Sequence, residues 1–182
     1  HVTRSALRGD LAVLLSGEVI AARRRLGYYY LGGGTDPAAS EIRKCTVDSC
    51  MSRPVLVNSD ANAYDAAVLL FTEDIGTIFV GEEDNLQGVV SRKDLLKAAM
   101  GREGLQQMPI SMVMTPRSKM IYAEADEEMV NVAQKLIDYE VDCLPVVQIE
   151  EKDGEKRFKL LGRISKTNIT RLFLDLGLGH RR

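Results

Sequence analysis

One seven-residue pattern occurs twice in the chain, and it constrains the fold more than any other feature. Gly88–Asp94 reads GVVSRKD and Gly162–Asn168 reads GRISKTN. In each copy a glycine and a short strand are followed by a serine, basic residues, and an acid or its amide. Ser91 with Asp94 three residues later is typical of a capping box that begins a helix. The repetition predicts a duplicated module with a strand-to-helix turn in each half.

The same turn has the chemistry of a nucleotide site. A helix N-terminus offers unpaired N–H groups and a positive dipole end, both of which favour phosphate. Arg92 and Lys93 add positive charge there, and a carboxylate nearby can accept hydrogen bonds from both hydroxyls of a ribose. A single copy is more often only a helix cap. Two copies, each with a serine and basic residues, indicate a nucleotide site.

The composition is typical of a soluble globular protein. The chain has 182 residues, 45% of them hydrophobic and 27% charged, which is enough for one or two small domains. No apolar run reaches membrane-spanning length. Cys45, Cys50 and Cys143 follow no metal-binding spacing and the two histidines lie near the ends, so no metal site is expected. Free thiols predict a cytoplasmic protein.

The first thirty residues are basic. They contain five arginines and two acids, a net charge of +3, whereas the whole chain carries −2, so an anionic partner is expected. The pattern predicts a helix from about Arg4 to Leu15, a strand over 18–22, a basic turn at Arg23–Gly27 and a return strand over 28–31. This order resembles the recognition helix and wing of a winged helix-turn-helix.

That resemblance implies a DNA partner, although a solvated basic hairpin without a partner is the alternative. A complete winged helix would also need two further helices before residue 1. The residues predicted to contact DNA are Thr3, Arg4, Ser5, Arg8, Arg23, Arg24 and Arg25.

The glycine-rich stretch Gly32–Pro37 predicts a domain boundary near residue 35. The predicted domains are a partial winged helix over 1–34, a linker over 35–43, a first repeat over 44–104, a second repeat over 105–178 and a tail over 179–182.

Each repeat is predicted to be a β-α-β-β-α unit, which makes the fold class α/β (α+β). Because each unit is small for an independent core, the two repeats should pack on one another. The predicted elements of the first repeat are 55–57, 61–73, 77–80, 87–90 and 92–100, and those of the second are 120–122, 127–140, 143–147, 160–164 and 166–174. The predicted N-caps of the first helices are Ser59 or Asp60, and Asp126.

Residues about 44–178 resemble a tandem pair of cystathionine β-synthase (CBS) domains, the Bateman module. The resemblance is carried by Cys50–Pro54 and Val113–Pro116 at the start of each repeat, by Asp142–Val147, and by the two glycine-to-Asp/Asn patterns. It implies two repeats related by a pseudo-two-fold axis. Together with the basic first thirty residues (the basic front), the whole chain resembles the CcpN-type repressors of Gram-positive bacteria. These repressors join a winged helix to paired CBS domains and regulate gluconeogenic genes.

The resemblance implies an adenine nucleotide (ATP, ADP or AMP) as a regulatory ligand, with no obligatory cofactor. Asp94 would bind the ribose, and Ser91, Arg92 and Lys93 would face the phosphate. The walls around the adenine would come from Thr77, Ile78, Cys143, Leu144 and Pro145, with Val55 and Ile121 beside them.

Ser165 and Lys166 would serve a second site in the same way. Asn168 stands there in place of the second acid, so that site loses a charged acceptor for the ribose hydroxyls. The second site is therefore predicted to be weaker or altered.

Two functions remain open. The first is a homodimeric repressor of central carbon (gluconeogenic) genes, in which nucleotide binding changes DNA binding. The second is a stand-alone energy-sensing subunit that controls an enzyme or transporter. Catalysis is disfavoured, because the repeats contain no histidine to act as a base and the motif serines have no basic partner. No membrane partner is expected.

Overall fold

The computed structural model describes residues 7–17, 19–23, 27–30, 37–101, 104–152 and 154–179. The chain divides into two units, residues 1–41 and 42–182. Within the described ranges, no helix has the length and apolar character needed to cross a membrane.

The first unit contains a helix and a hairpin, as the sequence predicts. The predicted helix start at Arg4 lies outside the described ranges, since residues 1–6 are not described. Residues 37–43, predicted as part of a linker, form a helix instead, because proline suits its first position and alanines favour helix. The elements are α1 (Leu7–Ser16), β1 (Ile20–Arg23), β2 (Gly27–Tyr30) and α2 (Pro37–Arg43).

The DNA contacts predicted in this unit can be placed only in part. Arg8 is exposed on α1. Arg23 ends β1, which pairs antiparallel with β2 from Ile20↔Tyr30 to Arg23↔Gly27. Thr3, Arg4, Ser5, Arg24 and Arg25, and the side chain of Arg23, lie outside the described part of the chain. The winged-helix assignment therefore stays a prediction.

The second unit has the mixed α+β architecture and the order of elements that the sequence predicts. The first repeat contains β3 (Leu56–Val57), α4 (Ala63–Thr72), β4 (Thr77–Glu82), β5 (Asn85–Ser91) and α5 (Arg92–Ala99), and α3 (Val47–Cys50) precedes it. The second contains β6 (Thr115–Pro116), α6 (Met129–Asp138), β7 (Cys143–Lys152), β8 (Glu155–Ser165) and α7 (Lys166–Gly177). Short 3-10 turns lie at Leu105–Gln107, Ile110–Met112 and Arg117–Lys119.

The strand predicted over 120–122 is not a regular strand. At this place only Ala123 forms a parallel bridge, with Val146. In the first repeat the Phe79 N–H donates to the Val55 carbonyl at 2.9 Å. In the second repeat the residue equivalent to Phe79 is Pro145, which has no N–H to donate. The parallel pairing in the second repeat is therefore shorter than that of β3 with β4 in the first.

Both first helices begin later than predicted. Asn62, not Ser59 or Asp60, caps α4 through a capping box with Asp65, and Glu128 precedes α6 without a side-chain cap. Each start is delayed by a β-bridge to a distant segment, Asn62↔Pro109 and Thr46↔Glu128. Tertiary pairing, which local sequence does not reveal, overrides the local capping signals.

The charged segment 148–159 lies between the predicted strands 143–147 and 160–164, and it extends the β7–β8 hairpin beyond them. The ladder runs on from Gln148↔Lys159 to Lys152↔Glu155. Opposite charges lie directly across it at Glu150↔Arg157 and diagonally in the Lys159–Glu150 ion pair at 3.9 Å, and such pairs favour cross-strand pairing.

Each repeat is completed by the segment that leads into the other repeat. β6, at the start of the second repeat, pairs antiparallel with β5 of the first. Ser52, before the first repeat, exchanges two 2.9 Å backbone hydrogen bonds with Arg163 on β8 of the second. The glycine of each duplicated pattern permits this approach, since a Cβ at Gly88 would lie 2.7 Å from the Thr115 carbonyl oxygen.

The segment that leads into each repeat also contributes residues to the hydrophobic core of the other repeat. Val47 and Cys50 of α3 are buried with Val132, Leu144 and Ile164 of the second repeat. Conversely, Ile110, which leads into the second repeat, is fully buried in the core of the first. A third cluster joins the two sheets and consists of Phe79, Leu86, Met120, Val147 and Leu160. The two repeats therefore form one packed body.

Candidate nucleotide-binding cleft

The predicted capping box at the start of α5 is confirmed, and it leaves one carboxylate oxygen free. The Ser91 N–H and hydroxyl donate to Asp94 Oδ2 at 2.9 and 2.6 Å. The Asp94 N–H donates in return to Ser91 Oγ at 3.3 Å. No donor among the described residues reaches Asp94 Oδ1. The box fixes the carboxylate and leaves an acceptor available to a ligand.

A cavity of about 240 Å³ lies beside this carboxylate and is bounded by both repeats. The first repeat contributes residues of β4, β5 and α5, and the second contributes residues of β6, of the segment 119–121 and of the segment 140–145. Its lining is Thr77, Val89, Ser91, Lys93, Asp94, Lys97, Thr115, Lys119, Met120, Ile121, Glu140, Val141, Asp142, Cys143, Leu144 and Pro145. The lining combines apolar side chains with three lysines, which suits a ligand with a flat base and an anionic tail.

Three lysines line the cavity and give it positive character. Lys93 and Lys97 lie one turn apart on α5, so they share a face of the helix, and Lys119 comes from the turn after β6. Within the described residues, Lys97 and Lys119 form no ion pair. They are thus available to an anionic ligand.

Asp142 lies between lysines from the two repeats. The Lys166 ammonium is 2.8 Å from its Oδ1, and the Lys93 ammonium is 4.0 Å from its Oδ2. The hydrogen bond from Lys166 lowers the pKa of Asp142; burial opposes this shift, and the charges of Lys166 and Lys93 add to it. The carboxylate is therefore ionised at neutral pH.

Cys143 contributes a neutral wall. Burial raises the pKa of its thiol to about 11, although the positive charge of Arg163 and its hydrogen bond act to lower this pKa. A protonated thiol is a small apolar group with little nucleophilic character. Its place in the cavity favours packing against a base over chemistry.

The cavity brings together eight of the residues predicted to contact the nucleotide: Thr77, Ser91, Lys93, Asp94, Ile121, Cys143, Leu144 and Pro145. Arg92 does not line it, because its Nε donates to the Ile75 carbonyl at 2.9 Å and its guanidinium pairs with Asp74 at 3.5 Å. Ile78 is fully buried in the core of the first repeat, and Val55 packs against that core.

Asn168 occupies the position equivalent to Asp94, and protein groups occupy all hydrogen-bonding positions of its side-chain amide. Its Oδ1 accepts from the Ser165 N–H at 3.0 Å and from the Ser165 hydroxyl at 2.6 Å. Its Nδ2 donates to the Cys50 carbonyl at 2.8 Å and to Ser52 Oγ at 2.9 Å. The side chain is buried and fastens α7 to the segment before the first repeat.

The rest of the second site also differs from the first. Arg163 stands where the first repeat has Val89, and its Nε donates to the Arg53 carbonyl at 3.0 Å. Lys166 faces Asp142 at the first cleft. A smaller cavity of about 140 Å³ remains at Asn168, lined by Cys50, Met51, Ser52, Asn168, Arg171 and Leu172. No lysine of the described residues lines it, whereas three lysines line the first cleft.

Sequence reasoning missed several residues of the first cleft. Lys97 follows Lys93 at helical spacing, and this signal could have identified it. Lys119, Met120 and Asp142 reach the cleft only through the packing of one repeat on the other, so the local sequence carries no signal for them.

Comparison with known proteins gives one family and one extended relative. Residues 47–101 and 110–175 match the CBS domain family. The chain is 38% identical over 178 residues to the transcriptional repressor CcpN of Bacillus subtilis (strain 168), a match that covers 97% of this chain and 82% of that protein.

Two solved structures have a similar fold. The CBS domain pair of protein MJ0100, in complex with 5'-methylthioadenosine and S-adenosyl-L-methionine, has a TM-score of 0.59 at 26% identity, covering 71% of this chain and 95% of that chain. CBSX2 in complex with AMP has a TM-score of 0.58 at 24% identity, covering 72% of this chain and 98% of that chain. The second likeness concerns the fold alone.

The unequal roles of the two motif residues predict unequal effects on stability. Asn168→Ala should lower the free energy of unfolding by about 2–4 kcal/mol, because it leaves a buried carbonyl without its donor, at about 1–3 kcal/mol, and also removes half of a capping box, at about 1 kcal/mol. Asp94→Ala, which removes the carboxylate half of the capping box and leaves the Ser91 N-cap in place, should lower it by about 1 kcal/mol. Urea denaturation of both variants measures the difference. A larger loss for Asp94→Ala would contradict the fastening role of Asn168.

Proposed function

The chain belongs to the CBS-domain family, and we propose that it is a ligand-sensing transcriptional repressor. In this proposal an adenine nucleotide binds the cleft beside Asp94 and modulates the binding of the basic first thirty residues to operator DNA. The observation that carries the nucleotide part is the free Oδ1 of Asp94, held at a helix start in a cavity lined by apolar side chains and three lysines.

The chemistry of the cleft supports this ligand class. The ribose hydroxyls would donate to Asp94 Oδ1, a charge-assisted contact. The base would lie against Ile121, Leu144 and Pro145, and the phosphate would meet Lys93 and its neighbouring lysines. ATP, ADP and AMP share these features. A similar CBS pair, that of MJ0100, was solved with two adenosine derivatives, which agrees with an adenosine site.

We propose one nucleotide per chain. The second site lacks a free acceptor because all hydrogen-bonding positions of Asn168 are used within the protein. This sharpens the sequence prediction of a weaker or altered second site into a proposal that it takes no ribose.

The extent of the similarity favours a repressor over a stand-alone sensor subunit. The match to CcpN covers 97% of this chain, so it includes the helix and hairpin that precede the repeats as well as the repeats themselves. A sensor consisting of CBS repeats alone would have no use for the basic front. Control of gluconeogenic genes, in the cytoplasm, is part of the proposal.

The proposed active form is a homodimer, which would present two DNA-binding regions to an operator. The helices of both repeats expose large apolar side chains that a second copy could cover. They include Val68 and Phe71 on α4, Leu96 and Met100 at α5, Val130 and Ile137 on α6, and Phe173 and Leu174 on α7.

The nucleotide site is tested by isothermal titration with AMP, ADP and ATP. Wild-type protein should bind one nucleotide per chain. Asp94→Ala should weaken binding about 10- to 100-fold, because it removes hydrogen bonds to a charged acceptor. Asp65 holds the same place in the capping box of α4, away from the cleft, so Asp65→Ala is the matched control and should bind as wild type.

Equal losses in the two variants would mean that Asp94 acts only through helix capping. Two equivalent sites per chain would contradict the proposed closure of the second site. Absence of binding for all three nucleotides would overturn the nucleotide part of the function.

The DNA-binding role is tested by changing Arg23, Arg24 and Arg25 to alanine in the full-length protein. Operator affinity should fall, because fewer DNA phosphates are neutralised. The slope of log K against log salt should flatten by about 1 to 3, since each phosphate that an arginine neutralises contributes about 0.9 to the slope. Gel-shift titrations at several salt concentrations measure this slope.

Arg157, on the β7–β8 hairpin, is the control because it carries the same charge in the other unit. Arg157→Ala should leave both affinity and slope as in wild type. An unchanged slope in the triple variant would show that these arginines do not contact DNA.

A further inference from the structure

We propose that Asp142 sets the preference of the cleft among adenosine ligands, by opposing each phosphate that the ligand carries. This inference rests on the proposed nucleotide site and adds a specificity-determining residue to it. The structural basis is a carboxylate from the second repeat that lies 4.0 Å from the Lys93 ammonium, in a cleft whose capping box belongs to the first repeat.

Asp142 competes with a phosphate for the same cation. Lys93, on the first turn of α5, would face the phosphate, and it already lies 4.0 Å from Asp142 Oδ2. Both side chains line the same cavity. A phosphate that engages Lys93 must therefore share this lysine with a carboxylate or displace it.

Asp142 is held in place from the other side. Lys166 contacts its Oδ1 at 2.8 Å, and the Lys166 N–H donates to the Asp142 carbonyl at 3.1 Å. Two contacts to the start of α7 keep the carboxylate at the cleft when Lys93 turns to a ligand. Its negative charge then remains beside the phosphates, and the repulsion grows with the charge of the ligand.

The equivalent position in the first repeat has no charge. There Gly76 accepts the N–H of Arg92 through its carbonyl at 3.1 Å, as Asp142 accepts that of Lys166. The two repeats thus share this backbone hydrogen bond and differ in one carboxylate. The Asp142 carboxylate lines the same cleft as the free Asp94 oxygen, so it would affect which ligands bind there according to their charge.

The test is Asp142→Asn, which keeps the shape of the side chain and removes its charge. Isothermal titration at fixed ionic strength compares adenosine, AMP, ADP and ATP. Adenosine affinity should change less than twofold, AMP affinity should rise about threefold, and ATP affinity should rise about tenfold, as expected for charges several ångströms apart near a protein surface. Adenosine thus also reports whether the cleft is intact.

Asp84→Asn is the matched control, since Asp84 forms an exposed ion pair with Arg157 at 3.7 Å and does not line the cleft. It should leave all four affinities unchanged. Lys166→Gln provides a second variant with the opposite sign, because it removes the cation that offsets Asp142. It should lower ATP affinity about threefold or more relative to adenosine.

A change in Asp142→Asn that is equal for all four ligands, or absent, would overturn the role of Asp142 while leaving the nucleotide site in place. Wild-type protein that binds none of the four would overturn the proposed function, and this inference with it. A graded gain from adenosine to ATP would support both.

Discussion

The fold depends on the exchange of the segments that lead into the two repeats. Helix α3, before the first repeat, is buried in the core of the second, and Ser52 is bonded to β8 by two backbone hydrogen bonds. The amide of Asn168 fastens this segment through the Cys50 carbonyl and Ser52 Oγ. Separating the repeats would expose both cores and break these bonds. A cleft between the repeats is therefore fixed by the chain's own connectivity.

The exchange also explains why two copies of one motif have different roles. Both capping boxes join a serine to the residue three positions later. In the second copy that residue must also hold the exchanged segment, and an amide, with donors and acceptors, does both. In the first copy Asp94 caps the helix with one oxygen, which leaves the other for a ligand. The replacement of Val89 by Arg163, and of Gly76 by Asp142, further separates the two sites in charge and shape.

The order of elements and the Ser91 capping box could be predicted because they depend on local periodicity and a repeated motif. The role of Asn168 could not, since its partners Cys50 and Ser52 lie 118 and 116 residues away in the chain. The same reason applies to Lys119 and Asp142 in the cleft and to the late start of α4, which follows from a bridge to Pro109. Arg92 was assigned to phosphate by sequence proximity alone, and the structure turns it toward Ile75 and Asp74.

The central claim is that the two motif residues serve different partners, Asp94 a ligand and Asn168 the protein. It is tested most directly by titrating isotopically labelled protein with AMP and following two signals by NMR, the backbone amide of Asp94 and the side-chain NH₂ of Asn168. We expect the Asp94 amide to shift saturably, while the Asn168 NH₂ keeps its position because it remains bonded to Cys50 and Ser52. A saturable shift of the Asn168 NH₂ at the same or lower AMP concentration would contradict the account.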